Sequence, residues 1–330
     1  MQRITFIKEC GCGKAGWRNM YTITVKEFAE KFDLKNNTPE LDLEKFELSH
    51  SEVNRPALQL AGFYDYFDKA RVQIIGNVEN AYMHQFADKE RIGLLEKLIS
   101  FTPPCIVFCQ GIDPDPAVCD IATRYGVPIL STDKETCNLE SEAIRWLKVE
   151  LAPRITIHGV LVDIFGEGVL IMGESGIGKS EAALELLKRG HRLVADDAVE
   201  IKKVSDETLI GTAPDVTRHM IEVRGVGIIN VKTLFGVESV KKTQSIDLVI
   251  KLEEWSKDKE YDRLGLEEQY TEFLGNRVVC HNIPIRPGRN LAIICETAAV
   301  NCRQKKMGYN AAEEFYSRIM ANMQKNKQQD

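Results

Sequence analysis

The stretch Val169-Leu-Ile-Met-Gly-Glu-Ser-Gly-Ile-Gly-Lys-Ser-Glu181 leaves this chain few folds to adopt. Its first four residues are apolar and read as a buried strand. A glycine-rich loop follows, and Ala182, Ala183, Leu186 and Leu187 then recur at helical spacing. The loop fits G-x-x-x-x-G-K-S, with Gly173, Gly178, Lys179 and Ser180 at the fixed positions. Glycines let backbone N–H groups reach phosphate oxygens with no Cβ in the way. A helix starting near Lys179 turns its positive dipole end to the same anion. Lys179 can neutralise β/γ-phosphates, and the Ser180 hydroxyl can ligate Mg²⁺. Chance alone gives the pattern in roughly one chain in a hundred of this length. The preceding strand, and a helix closed by Lys188, Arg189 and Gly190, remove it from that class. Gly173, Glu174, Ser175, Gly176, Ile177, Gly178, Lys179 and Ser180 are therefore the candidate phosphate cradle.

At 330 residues the chain has length for about two domains. Its 44% hydrophobic and 28% charged residues are ordinary for a soluble globular protein. A net charge of −6 gives no support to broad nucleic-acid contact. No apolar run reaches membrane-spanning length, and residues 1–10 lack a signal-peptide core. Nine cysteines, an odd count with no export signal, suggest reduced thiols in the cytoplasm. Residues 1–19, with Cys10 and Cys12 among glycines, are expected to be a flexible extension. Translation beginning at Met20 is a corollary that intact mass would decide.

Residues 20–152 alternate strand and helix, the pattern of an α/β domain with a mainly parallel sheet. Strands are expected at 72–76, 104–109 and 127–131. Helices are expected around 25–32 and at 87–100, 115–125 and 136–151. Cys105 and Cys109 share one side of a strand, which fits a buried structural role. His50, His84 and the Asp113-Pro-Asp115 turn form no catalytic constellation. The junction falls at 150–154, so residues 153–330 make the second domain.

In that domain, residues 155–172 read as a hairpin turning at Gly166-Glu-Gly168, its second strand feeding the phosphate loop. Antiparallel strands around the loop, and no Asn-Lys-x-Asp stretch, argue against a GTPase. Asp196 and Asp197 lie between apolar runs. One could hold Mg²⁺ and the other act as a base, or the pair could simply mark a turn. Glu222 and Arg224 adjoin Gly225 and Gly227, glycines that suggest close backbone approach. Strands are expected at 246–252 and 277–285. Arg286 and Arg289 occupy a turn apt for gripping phosphate, or a plain surface turn. Residues 291–301 read as an apolar strand or helix start, and 311–323 as an amphipathic helix. Taken alone, His158 reads as a structural strand histidine.

Together the phosphate loop, Ala195-Asp-Asp-Ala198, Ile221-Glu-Val-Arg-Gly-Val-Gly-Ile-Ile-Asn230, Ile283-Pro-Ile-Arg-Pro-Gly-Arg-Asn290 and Asn54-Arg-Pro-Ala-Leu-Gln-Leu-Ala-Gly-Phe63 resemble the HPr kinase/phosphorylase family. The resemblance runs from about Met20 to the C-terminal helix. It implies phosphorylation of a serine on the phosphocarrier HPr by Mg²⁺-ATP. It implies the reverse by phosphorolysis too, with phosphate consumed and pyrophosphate released, in control of carbon catabolite repression. It implies a P-loop kinase domain resembling phosphoenolpyruvate carboxykinase, and a homohexamer without nucleic-acid or membrane partners. Carried over by position, Ser180 and Glu222 would hold Mg²⁺, with Lys179 on the transferring group. Asp197 would take the serine proton and return it in reverse. His158 would tune or orient Asp197 or contact the phosphate, and Arg263 would stabilise transferring charge. Pro284, Ile285, Arg286, Pro287, Gly288 and Arg289 would serve mainly dephosphorylation. The other readings are a carboxykinase-like small-molecule kinase and a non-catalytic ATP-sensing regulator.

Overall fold

The computed structural model describes residues 4–6, 19–259, 267–286 and 288–327. They fall into two units, Met1–Pro153 and Arg154–Asp330. Ile4–Phe6 pairs antiparallel with Asn19–Tyr21. Cys10 and Cys12 lie outside the described residues.

In the first unit, strand alternation sets the layers. Ile74, Val107 and Leu130 face one way, and Ile75, Ile106, Phe108 and Ile129 the other. The sheet runs Lys35–Asn36, Ile129–Ser131, Ile106–Phe108, Val72–Ile75, Val53–Asn54. Its last four strands are parallel, and Lys35–Asn36 is an antiparallel edge. Val25–Phe32 and Thr136–Glu150 cover the first face, while Asp88–Ser100 and Pro116–Tyr125 cover the second. Local chemistry sets the helix ends. Thr24 and Glu27 form a reciprocal capping box before Val25, and Asp115 caps Pro116–Tyr125. Cys105 and Cys109 both lie in the first-face core. Burial pushes their thiols up to about 12 and about 11, which leaves them unreactive.

The second unit is built on a six-stranded mixed sheet. Its order is Arg192–Ala195, Val160–Ile164, Glu167–Met172, Leu248–Glu254, Asn276–Ile285, Gln269–Phe273. Val160, Val162, Val169, Ile171, Leu248 and Ile250 pack under the helices Lys179–Lys188 and Leu291–Lys306. Leu161, Leu170 and Val249 face a second sheet. That sheet is antiparallel, in the order Arg154–His158, Ala198–Lys203, Leu209–Thr212, Thr243–Ser245. The layers are thus helices, sheet, sheet.

Two expectations need correction. Residues 155–172 are not one hairpin, because Arg154–His158 pairs with Ala198–Lys203 in the smaller sheet. The chain changes sheets at Gly159, where a Cβ would lie 2.9 Å from the Ile171 carbonyl oxygen. The hairpin proper joins Val160–Ile164 to Glu167–Met172. The phosphate-loop strand also has a parallel neighbour, Leu248–Glu254, besides its antiparallel one. A strand that leaves into a helix and a long connection is free to be met in parallel. Residues 291–301 resolve as helix, begun by the Asn290 side chain accepting from Ile293 N. No helix among the described residues is long and apolar enough to cross a membrane.

Candidate active site

Strand Glu167–Met172 delivers the loop at the carboxyl edge of the larger sheet. Gly173, Gly176 and Gly178 take φ of +151°, +87° and +100°, values costly for any L side chain. A Cβ on Gly173 would come within 2.8 Å of the Leu252 carbonyl oxygen. Gly178 opens the helix Lys179–Lys188. Lys179 is buried, and its Nζ donates to Gly173 O and Glu174 O, both at 2.8 Å. Burial lowers its pKa, against the opposing pull of Asp196 and Asp197. The ammonium therefore rests on the loop's own carbonyls.

Asp196 and Asp197 sit where the chain leaves Arg192–Ala195 for Ala198–Lys203, and so changes sheets. The turn and the acidic pair coincide, because the turn aims consecutive carboxylates apart. Asp196 points inward and is buried. Its Oδ1 accepts the Ser180 hydroxyl at 2.9 Å, and its Oδ2 accepts Glu222 N at 3.0 Å. Burial pushes its carboxyl above the usual range, although these hydrogen bonds oppose the shift. Asp197 takes φ +67°, strained for a residue with a Cβ, and its side chain is 63% exposed. Its Oδ1 stands 2.9 Å from His158 Nδ1. Gly159 N donates to Asp197 O at 3.1 Å, fixing the two chain crossings against each other.

Met220–Val223 and Gly227–Asn230 form a small hairpin beside the loop. Gly225 (φ +82°) and Gly227 (φ +103°) have open space where a Cβ would stand. They serve the turn rather than the close backbone approach expected from sequence. Arg224 Nη2 donates to Ser175 Oγ at 2.9 Å, and its guanidinium covers Gly176. His158, Ser175, Lys179, Ser180, Asp196, Asp197, Glu222 and Arg224 line one cavity. Arg224 is a site residue that the sequence reading left without a role. Glu222 lies on the strand and Arg224 opens the turn that follows it, and both line the cavity beside the loop.

Among the described residues, Pro284, Ile285, Arg286, Gly288 and Arg289 do not line that cavity. Pro284 and Ile285 end the strand Asn276–Ile285. The Arg286 guanidinium lies 3.6 Å over the Trp255 ring. Gly288 takes φ +87°. Arg289 Nη1 donates to Pro284 O at 2.7 Å. Arg263 and Pro287 lie outside the described residues.

Residues 149–319 match the HPr serine kinase C-terminal domain, and residues 23–147 the HPr serine kinase N terminus. The chain is similar to the HPr kinase/phosphorylase of Lachnoclostridium phytofermentans, at 70% identity over 93% of this chain and 99% of that relative. The enzyme of that name from Caldicellulosiruptor bescii is 51% identical over 92% and 98%. That from Alkaliphilus metalliredigens is 49% identical over 94% and 100%.

Proposed function

Because the chain belongs to the HPr kinase/phosphorylase family, we propose that it phosphorylates a serine of HPr with ATP and removes that phosphate by phosphorolysis. The observation that carries the reading is the His158–Asp197 contact at 2.9 Å, opening onto the cavity that holds the phosphate loop. An exposed carboxylate there suits a hydroxyl presented by another protein. The non-catalytic sensor and the small-molecule kinase give way, since relatives of nearly full length are named for kinase and phosphorylase activity on HPr.

In the kinase direction, Asp197 takes the serine proton as Oγ attacks the γ-phosphorus. The bond from that phosphorus to the β,γ-bridging oxygen breaks, and ADP leaves. In phosphorolysis, a phosphate oxygen attacks the phosphorus of phosphoserine. The P–Oγ bond breaks, Asp197 returns its proton to the serine oxygen, and pyrophosphate leaves. His158 orients Asp197 in both directions. Lys179 exchanges the loop carbonyls for phosphate oxygens, and the helix N-terminus adds its partial positive charge.

The residues present fit Mg²⁺. Ser180 spends its proton on Asp196 and so keeps its lone pairs for a cation. Among the described residues no group of three or more His, Cys, Asp or Glu could hold a metal alone. That sparse donor set suits an ion that shares its shell with water and phosphate. Ser180 and Glu222 would hold it, and it would neutralise charge on the β- and γ-phosphates. The family resemblance further suggests Arg263 as a catalytic arginine, the 284–289 turn for phosphorolysis, a homohexamer and a cytoplasmic site of action.

The test is mass spectrometry of HPr incubated with the enzyme and Mg²⁺-ATP, then with excess phosphate. One phosphoryl group should appear on a serine and then be lost as pyrophosphate forms. Asp197→Ala should abolish both steps with ATP binding intact. Turnover surviving in that variant overturns the proton-transfer assignment.

A further inference from the structure

We propose that Trp255 is a positioning residue for phosphorolysis, holding the Arg286 guanidinium flat and unneutralised as the arm that receives inorganic phosphate. The inference rests on the reading that the 284–289 turn serves the dephosphorylation direction.

The strand ends place both residues. Met172 pairs in parallel with Lys251, and Lys251 with Asn282, so three strands deliver their carboxyl ends to one edge. The phosphate loop leaves the first, Trp255 follows the second, and Arg286 follows the third. Trp255 N donates to Ile285 O at 3.3 Å, tying the ring's backbone to the residue before Arg286. Arg289 N donates to Arg286 O at 3.2 Å, which closes the turn from its other side. The arginine is thus anchored by its backbone on both flanks.

Its head group is used differently from that of its neighbour. Arg289 spends a donor on the Pro284 carbonyl. The Arg286 guanidinium lies 3.6 Å over the Trp255 ring, and among the described residues it carries no hydrogen bond and no ion pair. Stacking uses the π-face of a guanidinium, whereas hydrogen bonding uses its in-plane edge. The tryptophan therefore fixes the plane without consuming a single N–H donor. A long side chain held in this way loses less rotamer freedom when it binds, and its planar fork matches two oxygens of a phosphate. A lysine ammonium on the same stem offers neither the plane nor the fork.

Inorganic phosphate is the fitting occupant because it is the co-substrate peculiar to phosphorolysis. ATP brings its phosphates on a nucleoside and has the loop to bind them. Free phosphate attacks from the side on which the ADP β-phosphate leaves, so it shares the loop with ATP, but it has no nucleoside to hold it and gains more from a further cation at the same sheet edge. The residue pair should thus weigh on the phosphate-consuming direction more than on the ATP-consuming one.

The experiment measures both directions on the full-length enzyme: phosphorolysis of serine-phosphorylated HPr across phosphate concentrations, and phosphorylation of HPr across ATP concentrations. Trp255→Leu should raise the KM for phosphate about tenfold, an effect in the cation–π range, and lower the phosphorolysis-to-kinase ratio of specificity constants to match. Trp255→Phe, which keeps a ring face, should restore most of the loss. Arg286→Lys keeps the charge and leaves the tryptophan in place, so it tests the flat face even where Trp255→Leu folds poorly, and it should match Trp255→Leu. An unchanged KM for phosphate in both Trp255→Leu and Arg286→Lys overturns the proposal, as does an equal fall in both directions. Arg286→Ala separates the layers. If it leaves phosphorolysis intact, the assignment of the turn itself fails. If it impairs phosphorolysis while Trp255→Leu does not, the turn stands and the positioning role fails.

Discussion

At the scale of single residues, backbone conformation sends the two neighbouring acids in opposite directions. Asp197 is turned outward by a positive φ, and Asp196 is turned inward under Ser180 and Glu222. The inward acid sets the direction of the Ser180 proton. As a carboxylate it can only accept, so the serine must donate to it and turn its lone pairs outward. Asp196→Asn is nearly isosteric but breaks that rule. Glu222 N still needs an acceptor, so the amide nitrogen must face Ser180 and donate to it. The hydroxyl proton then points toward the cation position. We expect Asp196→Asn to keep its fold by circular dichroism while Mg²⁺-dependent kinase activity falls about 10- to 100-fold, the range for partners behind a metal ligand. Wild-type turnover in the variant would sink this account. The sequence by itself offered metal work for one of the adjacent acids and base work for the other, or a plain turn. It could not say which, because the choice lies in the φ of one residue.

At the scale of elements, the hairpin Met220–Val223/Gly227–Asn230 carries Glu222 and Arg224, so its turn controls the site indirectly. Gly225→Ala meets no atom within 4 Å, and its cost is therefore the φ of +82° alone. An L side chain there loses about 1–2 kcal/mol. Relaxation of the turn would shift Glu222 and Arg224 from the loop. Misplacement of that order lowers kcat/KM about 10- to 100-fold, a larger effect than the small drop in melting temperature. Gly225→Asn should retain more of both, because asparagine tolerates the left-handed region. Equal loss in the two variants would point to a side-chain clash instead of strain. The elements themselves were largely legible. Short apolar runs gave the strands 72–75, 106–108 and 129–131 within two or three residues, and helices were legible at 116–125 and 136–150. What escaped was pairing. Nothing local to Ile155 or His158 says that this strand joins Ala198–Lys203 and not Glu167–Met172. The partner lies some forty residues on, and the switch depends on a single glycine beneath the Ile171 carbonyl.

At the scale of the whole molecule, each unit has its own cores and its own buried carboxylate with cationic partners. Glu79 in the first unit accepts Arg55 Nη2 at 2.9 Å and Gly76 N at 3.0 Å. Asp163 in the second accepts Arg192 Nη2 at 2.6 Å, Lys241 Nζ at 2.8 Å and Gly166 N at 2.7 Å. Burial works to raise both carboxyls, but these bonds outweigh it and hold them below their ordinary values of 4.5 and 3.8. A depressed folded-state pKa supplies stability that is present above the unfolded value and lost as pH falls through the folded one. Each unit should therefore weaken on acidification below about pH 4.5, through a different residue. Calorimetry across that window on the intact chain, with Glu79→Gln and Asp163→Asn, makes the units separable. Each substitution removes charge-assisted bonds worth about 1–3 kcal/mol, discounted because Arg55, Arg192 and Lys241 reach solvent. That corresponds to about 2–4 °C per kcal/mol for units of this size. If the units unfold independently, Glu79→Gln lowers one transition and flattens its acid dependence, and Asp163→Asn does the same to the other. If either substitution moves both transitions together, the two units fold as one cooperative body, and a mutation in the first must be expected to reach the phosphate loop through stability alone.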